Sequence, residues 1–138
     1  MGKTILITGA SSGFGRLTAE TLANSGHTVF AGFRSTDGTK KEIADALRHK
    51  NVEILKLDVT DQQSVDSAIG QLLKESTGGL DVVVNNAGMA SAGISEAFTP
   101  EQTRELFEVN VFGVQRMIRA TFHRHTPQGS EARTAVSR

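Results

Sequence analysis

Thr4-Ile5-Leu6-Ile7-Thr8-Gly9-Ala10-Ser11-Ser12-Gly13-Phe14-Gly15 is the stretch on which the fold turns. Thr4 to Ile7 is a short β-branched and aliphatic run, apolar on both faces, as strands buried in parallel sheets are. The loop behind it carries glycines at 9, 13 and 15, which permit a tight turn and a close approach of backbone amides to a ligand. Arg16 to Ser25 then reads as a helix, with Leu17, Leu22 and Ala23 marking its apolar face and Gly26 suited to the left-handed position that ends it. A strand, a glycine-rich turn and a helix in that order place unpaired N–H groups and a positive helix end where a pyrophosphate could sit. Ser11 and Ser12 add hydroxyl donors. A strand-to-helix turn that needs small residues for packing alone is the alternative.

Outward from this unit the rhythm repeats. Thr28 to Ala31 is a second strand, Lys40 to Lys50 a second helix with Ile43, Ala46 and Leu47 inward, and Val52 to Leu57 a third strand. A third helix begins at Thr60, where Thr60 and Gln63 have capping-box spacing, and turns Val65, Ala68, Ile69, Leu72 and Leu73 to the core. Gly78-Gly79 breaks the chain before a fourth strand, Leu80 to Val84. Thr99-Pro100-Glu101-Gln102 combines an N-cap, a first-turn proline and a capping-box glutamine. The helix it opens carries Leu106, Phe107, Val109, Val114, Met117 and Ile118. Strands alternating with helices at this spacing predict an α/β fold, a Rossmann-type doubly wound parallel sheet.

Composition narrows the function classes. The chain has 138 residues, 15 basic and 15 acidic, so no net field draws it to nucleic acid or an anionic membrane. The absence of cysteine excludes disulfides, thiolate metal sites and cysteine nucleophiles. No apolar run has the length of a membrane span, and a strand-like run follows Lys3 directly, which reads as a cytoplasmic protein without a signal peptide. Residues 116–138 hold five arginines against the single acid Glu131. This basic end either contacts nucleic acid or phospholipid or is a solvated, poorly ordered tail, and the second reading is the blander and preferred one. His123 and His125 are too close in sequence to share a metal on an intact helix, so no metal site is expected.

Three further segments carry chemistry. The second strand ends Ala31-Gly32-Phe33-Arg34-Ser35, with an arginine where an acid would select NAD. A guanidinium pairs bidentately with a 2′-phosphate, which favours NADP(H) over NAD(H), although Arg34 could also be a plain surface residue and Asp37 lies nearby. Asp58, at the end of the third strand, suits either an adenine amino group or a helix cap. Asn85-Asn86-Ala87-Gly88 closes the fourth strand with residues small enough for a ligand to cross the sheet edge, and paired asparagines also serve to tie strand ends together. A GxxxxGK[ST] run is missing, which disfavours a P-loop nucleotidase. Methyl transfer from a nucleoside cofactor needs an acid after the second strand, and Gly32 and Arg34 count against it.

Thr8-Gly9-x-x-x-Gly13-x-Gly15, Asp58-Val59, Asn85-Asn86-Ala87-Gly88 and Val109-Asn110 stand in the order and spacing of the short-chain dehydrogenase/reductase family, which the chain resembles over residues 1–121. The resemblance extends to NADP(H)-preferring members that act on hydrophobic alcohols and ketones. It implies that Gly9, Ser11, Ser12, Gly13, Phe14 and Gly15 hold the pyrophosphate and adenosine, and that Arg34 meets the 2′-phosphate. Asp58 and Val59 would then flank the adenine, Asn86, Ala87 and Gly88 the ribose, and Val109 the nicotinamide. Asn110 matches the asparagine of the family's Asn-Ser-Tyr-Lys catalytic set, where it holds a water in a proton relay. The departure lies in the other three positions. The sequence has no tyrosine, so the Tyr-x-x-x-Lys pair is absent, and by spacing the catalytic serine would fall beside Arg138, with Ser137 a doubtful stand-in.

These readings together predict the amino-terminal, cofactor-binding half of an oxidoreductase, with residues 1–121 as an incomplete dinucleotide-binding domain and 122–138 as a tail. The sheet would be cut to four strands with the fourth as an exposed edge, and apolar residues of the last helix would face water or a second copy. Such a chain is expected not to turn substrate over. The alternative is a non-catalytic NADP(H) sensor whose last helix binds a partner.

Overall fold

The computed structural model describes residues 2–122 and 133–136. Five strands, β1 (Thr4–Ile7), β2 (Thr28–Phe33), β3 (Val52–Lys56), β4 (Val82–Asn85) and β5 (Arg133–Val136), form one parallel sheet in the order β3-β2-β1-β4-β5. The helices between them are α1 (Gly13–Asn24), α2 (Thr39–Arg48), α3 (Gln62–Glu75), α4 (Pro100–Phe107) and α5 (Val114–Phe122). The doubly wound sheet expected from the βα rhythm is present.

Alternation along the strands divides the core into two layers. Ile5 and Ile7 of β1 pack with Val29, Ala31 and Phe33 of β2 against Ala19 of α1 and Ala44 and Leu47 of α2. Leu6 and Phe30 point the other way, into a layer with Leu55, Leu57, Val65, Ile69 and Leu72, closed by Met117 and Ala120 of α5. Register reinforces this division, because Leu6 stands beside Phe30 and Ile7 beside Ala31. Both faces of β1 are therefore dry, which its uniformly apolar sequence requires.

Four expectations need correction. Leu17 is 60% exposed, and the buried residues of α1 are Gly15 and Ala19, which share a face with Leu22 and Ala23 at helical spacing. The cap of α3 is Asp61, whose side chain accepts from the Gln63 N–H, one residue later than the expected Thr60. Thr60 is instead held by Asp58, whose Oδ1 accepts from its N–H and its hydroxyl at 2.9 and 2.7 Å. The fourth strand is not an edge, since β5 runs parallel to it with Val83 opposite Thr134 and Val84 opposite Ala135. Backbone groups make that ladder, so a segment with few aliphatic residues can still supply it. Glu131 and Ala132, along with His123, His125, Ser137 and Arg138, lie outside the described residues.

The fourth correction concerns the helix opened by Thr99. Its capping box is as expected, with the Thr99 hydroxyl accepting from the Gln102 N–H and Gln102 accepting from the Thr99 N–H. The helix is then interrupted by a π-helical turn over Glu108–Gly113 before it continues as α5. A Cβ on Gly113 would come within 2.8 Å of Val59 Cγ2, so the helix meets the end of β3 through a bare backbone. Arg116 fastens the same place, donating to Glu108 Oε1 at 2.8 Å and to the Val59 carbonyl at 3.3 Å. Of the expected apolar face only Met117 is buried, while Leu106, Val109, Val114 and Ile118 are half-buried and Phe107 is 52% exposed.

Glu20 braces α1 against the turn before β3. It accepts from Lys50 at 2.7 Å and from Arg16 at 2.9 Å, and these two bonds hold its carboxyl below the ordinary glutamate value of 4.5. A depressed carboxylate stabilises the fold fully above its unfolded-state value and loses that contribution as the pH falls through the folded-state value. We expect Glu20→Gln to lower stability at neutral pH by less than about 1 kcal/mol and to have no effect well below pH 4.5, in urea titrations at several pH values. An equal loss at every pH would show that packing, not charge, is responsible.

Candidate functional site

The carboxyl ends of β1, β2, β3 and β4 open onto one cleft of about 410 Å³. Thr8, just past β1, organises its floor. Its side chain is buried, and its Oγ1 accepts from the backbone N–H of Asn86 at 3.1 Å and of Ala87 at 3.0 Å. Asn86 returns the contact, its Nδ2 donating to the carbonyls of Thr8 and Gly9, each at 3.0 Å. Asn86 thus ties the two strand ends together, the structural role that its sequence context left open.

The glycines are explained by what a side chain would strike. Gly9 has φ +64°, and a Cβ there would lie 2.7 Å from Ala87 Cα. On Gly15 it would run into Asn86 Nδ2 and the Gly9 carbonyl, so α1 sits directly on the loop. Gly13 differs, since nothing lies within 4 Å of its missing Cβ. The loop is therefore tight below and open above. Helix α1 starts at that opening, with Ser12 as an extended N-cap whose side chain makes no capping bond, and with no acid in the first turn. Its first N–H groups and positive end are available to an anion.

Most of the expected site residues come together here. Gly9, Ser11 and Ser12 of the loop line the cleft, as does Arg34 after β2. Asp58 and Val59 after β3, and Asn86, Ala87 and Gly88 after β4, complete the wall with Val109 from the π-helical turn. Gly13 and Gly15 shape the loop without lining the cleft, and Phe14 points away, 83% exposed. Asp58 has its Oδ1 engaged by Thr60 while its residue lines the cleft. Asp37 is off the wall, its Oδ2 accepting from the Ser35 hydroxyl at 3.1 Å. Sequence reasoning missed Ser35, Lys40, Leu57, Thr60 and Met89 on the wall. Lys40 is presented by the first turn of α2, and no local motif announces it.

Asn110 stands at the rim. Its carboxamide closes a two-way bond with Met89, accepting from the Met89 N–H and donating to the Met89 carbonyl, both at 2.8 Å. The residue is exposed, and its carboxamide is spent on pinning the loop after β4 to the π-helical turn. The family's tyrosine has no counterpart, since the sequence contains none. Among the described residues there is no group of three potential metal ligands, and no helix is long and apolar enough to cross a membrane.

A parallel sheet with a glycine-rich turn over a helix end, and strand termini converging on one cleft, is the arrangement of a Rossmann-type nucleotide-binding fold. The chain belongs to the short-chain dehydrogenase family, which matches it over residues 3–133. It is 40% identical over 116 residues to a 3-ketodihydrosphingosine reductase of Bacteroides thetaiotaomicron, covering 84% of this chain and 39% of that relative. Its fold resembles a 3-ketoacyl-(acyl-carrier-protein) reductase from Brucella melitensis complexed with NADH, at a TM-score of 0.83 and 31% identity, over 98% of this chain and 56% of that one. It also resembles an alcohol dehydrogenase from Thermococcus sibiricus complexed with 5-hydroxy-NADP, at a TM-score of 0.78 and 35% identity, over 89% and 53%. The chain thus spans between two-fifths and somewhat over half of these proteins.

Proposed function

We propose that this chain is the NADP(H)-binding portion of a short-chain oxidoreductase acting on a carbonyl or alcohol substrate. In this reading it binds the dinucleotide without turning substrate over by itself. The observation that carries the cofactor choice is Arg34 on the cleft wall at the end of β2, exposed, with no salt bridge to a described residue. A guanidinium there meets a 2′-phosphate, while an acid would meet ribose hydroxyls instead. The open helix end above Gly13 and the hydroxyls of Ser11 and Ser12 would hold the pyrophosphate, with Gly15 letting α1 sit directly on the loop. Asp58 and Val59 would flank the adenine, Asn86, Ala87 and Gly88 the ribose, and Val109 the nicotinamide. When bound, the nicotinamide supplies or takes up hydride.

What this chain's residues do beyond binding is limited. Asn110 pins the loop after β4 at the cleft rim, and in this reading it would hold a water for proton relay from there. With no tyrosine in the sequence, no phenol positioned by a lysine can pass the substrate's proton, and loss of a positioned acid lowers a rate by about 10²–10⁴-fold.

Titration of the purified chain with NADPH and NADH, followed by nicotinamide fluorescence, tests the reading. The protein has neither Trp nor Tyr, so its own emission is weak. Saturable binding that favours NADPH is expected, and Arg34→Ala should weaken NADPH about tenfold while leaving NADH nearly unchanged. Equal affinity for both dinucleotides in the wild-type chain would sink the NADP(H) assignment.

One observation favours a second reading, a nucleotide-dependent partner module. Phe107 and Phe112 are about half exposed and flank an apolar groove with Thr103 and Arg104. An exposed apolar groove is one kind of surface that a partner covers. Capture of a partner by the chain only when NADPH is present would favour this reading over that of a half-enzyme.

A further inference from the structure

We propose that Lys40 is a second cation for the 2′-phosphate, a specificity residue supplied by α2 and not by the end of β2. This inference rests on the NADP(H) reading above and extends it. Lys40 lies in the first turn of α2 and is half-buried. Its Nζ donates to the Ser11 carbonyl at 3.4 Å, the long end of the hydrogen-bond range. That weak contact carries the ammonium across 29 residues of sequence to the glycine-rich loop, onto the wall that Arg34, Ser35 and Ser11 share.

The placement gains from an anion on the cleft side. The amino end of a helix repels cations, and the first turn of α2, which opens on Thr39, carries Lys40 and Lys41 with the single acid Glu42. Neither Lys40 nor Arg34 forms a salt bridge with a described residue. Asp37, three residues from each, turns to the Ser35 hydroxyl, and Glu42, in the first turn of α2, is exposed and off the cleft wall. The carboxylate that does line the cleft, Asp58, is engaged by Thr60. Two unpaired cations and a helix amino end around one open space fit a dianionic phosphate. An ordinary salt-bridged surface would have placed an acid among them.

The test compares dissociation constants of NADPH and NADH for the full 138-residue chain and its K40Q, K40R and K41Q variants. K40Q should weaken NADPH about tenfold and NADH by less than about twofold, with K40R restoring most of the loss. K41Q removes the same charge one residue along the helix, from an exposed side chain off the cleft wall, and should leave the NADPH-to-NADH ratio unchanged. Circular dichroism confirms that each variant is folded. If K40Q keeps the wild-type ratio while R34A loses it, Lys40 is only a brace between α2 and the loop, and the proposal is overturned with the cofactor reading intact. An equal loss of both dinucleotides in K40Q has the same meaning. A wild-type chain without NADPH preference overturns the cofactor reading itself, and this proposal with it.

Discussion

Replacing Gly9 with alanine is expected to abolish saturable dinucleotide binding and to destabilise the fold by about 2–4 kcal/mol, read by nicotinamide fluorescence and urea unfolding. Two effects add. The residue sits at φ +64°, a left-handed conformation that costs an L side chain about 1–2 kcal/mol. The new Cβ would also lie 2.7 Å from Ala87 Cα, and backbone, not a pliable side chain, is what it meets. Ala87 cannot retreat freely, because its N–H is bonded to Thr8 Oγ1 at 3.0 Å. The displaced segment is the cleft floor, so the stability loss and the binding loss share one cause. Gly13→Ala is the control. Its φ of +53° imposes the same backbone strain, but its Cβ meets nothing within 4 Å. If both variants lose the same stability, the close approach to Ala87 contributes nothing and this account of the floor is wrong.

Phe30→Ala should produce the largest loss of stability without touching the cleft. Phe30 is 1% exposed in the middle of β2, beside Leu6 in register, and it fills the layer shared with α3 and α5. Deleting a buried phenyl ring costs about 3–5 kcal/mol, which is a large share of the ~5–15 kcal/mol that holds a domain together. Urea unfolding should show a much lower midpoint with little change in slope. Phe14→Ala, at a residue 83% exposed, should leave the midpoint where it is. A loss below about 1 kcal/mol for Phe30→Ala would mean that the two-layer core is wrongly drawn.

The comparison of these two sites shows why some of the protein was legible and some was not. The loop over Gly9 to Gly15 announced itself because glycines and serines between an apolar run and a helical pattern have few other uses. The layers were legible wherever period and burial agreed, as at Val65, Ala68, Ile69 and Leu72 of α3, all of which are buried. Leu17 misled because one apolar residue in a short helix does not define a face; the small residues Gly15 and Ala19 do, by letting α1 approach the loop and the sheet closely. β5 read poorly because its place beside β4 is made by backbone pairing, for which residue type is a weak guide.

By itself, the sequence determined the order of strands and helices, the glycine-rich turn and the small-residue ends of the strands. Each of these is a property of neighbouring residues, governed by propensity, period and the steric freedom of glycine. Tertiary structure alone decided how the distant pieces share a site. It brought Thr8 under Asn86 and Ala87 across nearly 80 residues, turned the Asn110 carboxamide to Met89, replaced one turn of helix by a π-helical turn over Val59, and set Lys40 beside Ser11. Hydrogen bonds and close packing between residues far apart in the chain leave no periodic trace. They become visible only once the sheet has ordered the strand ends side by side.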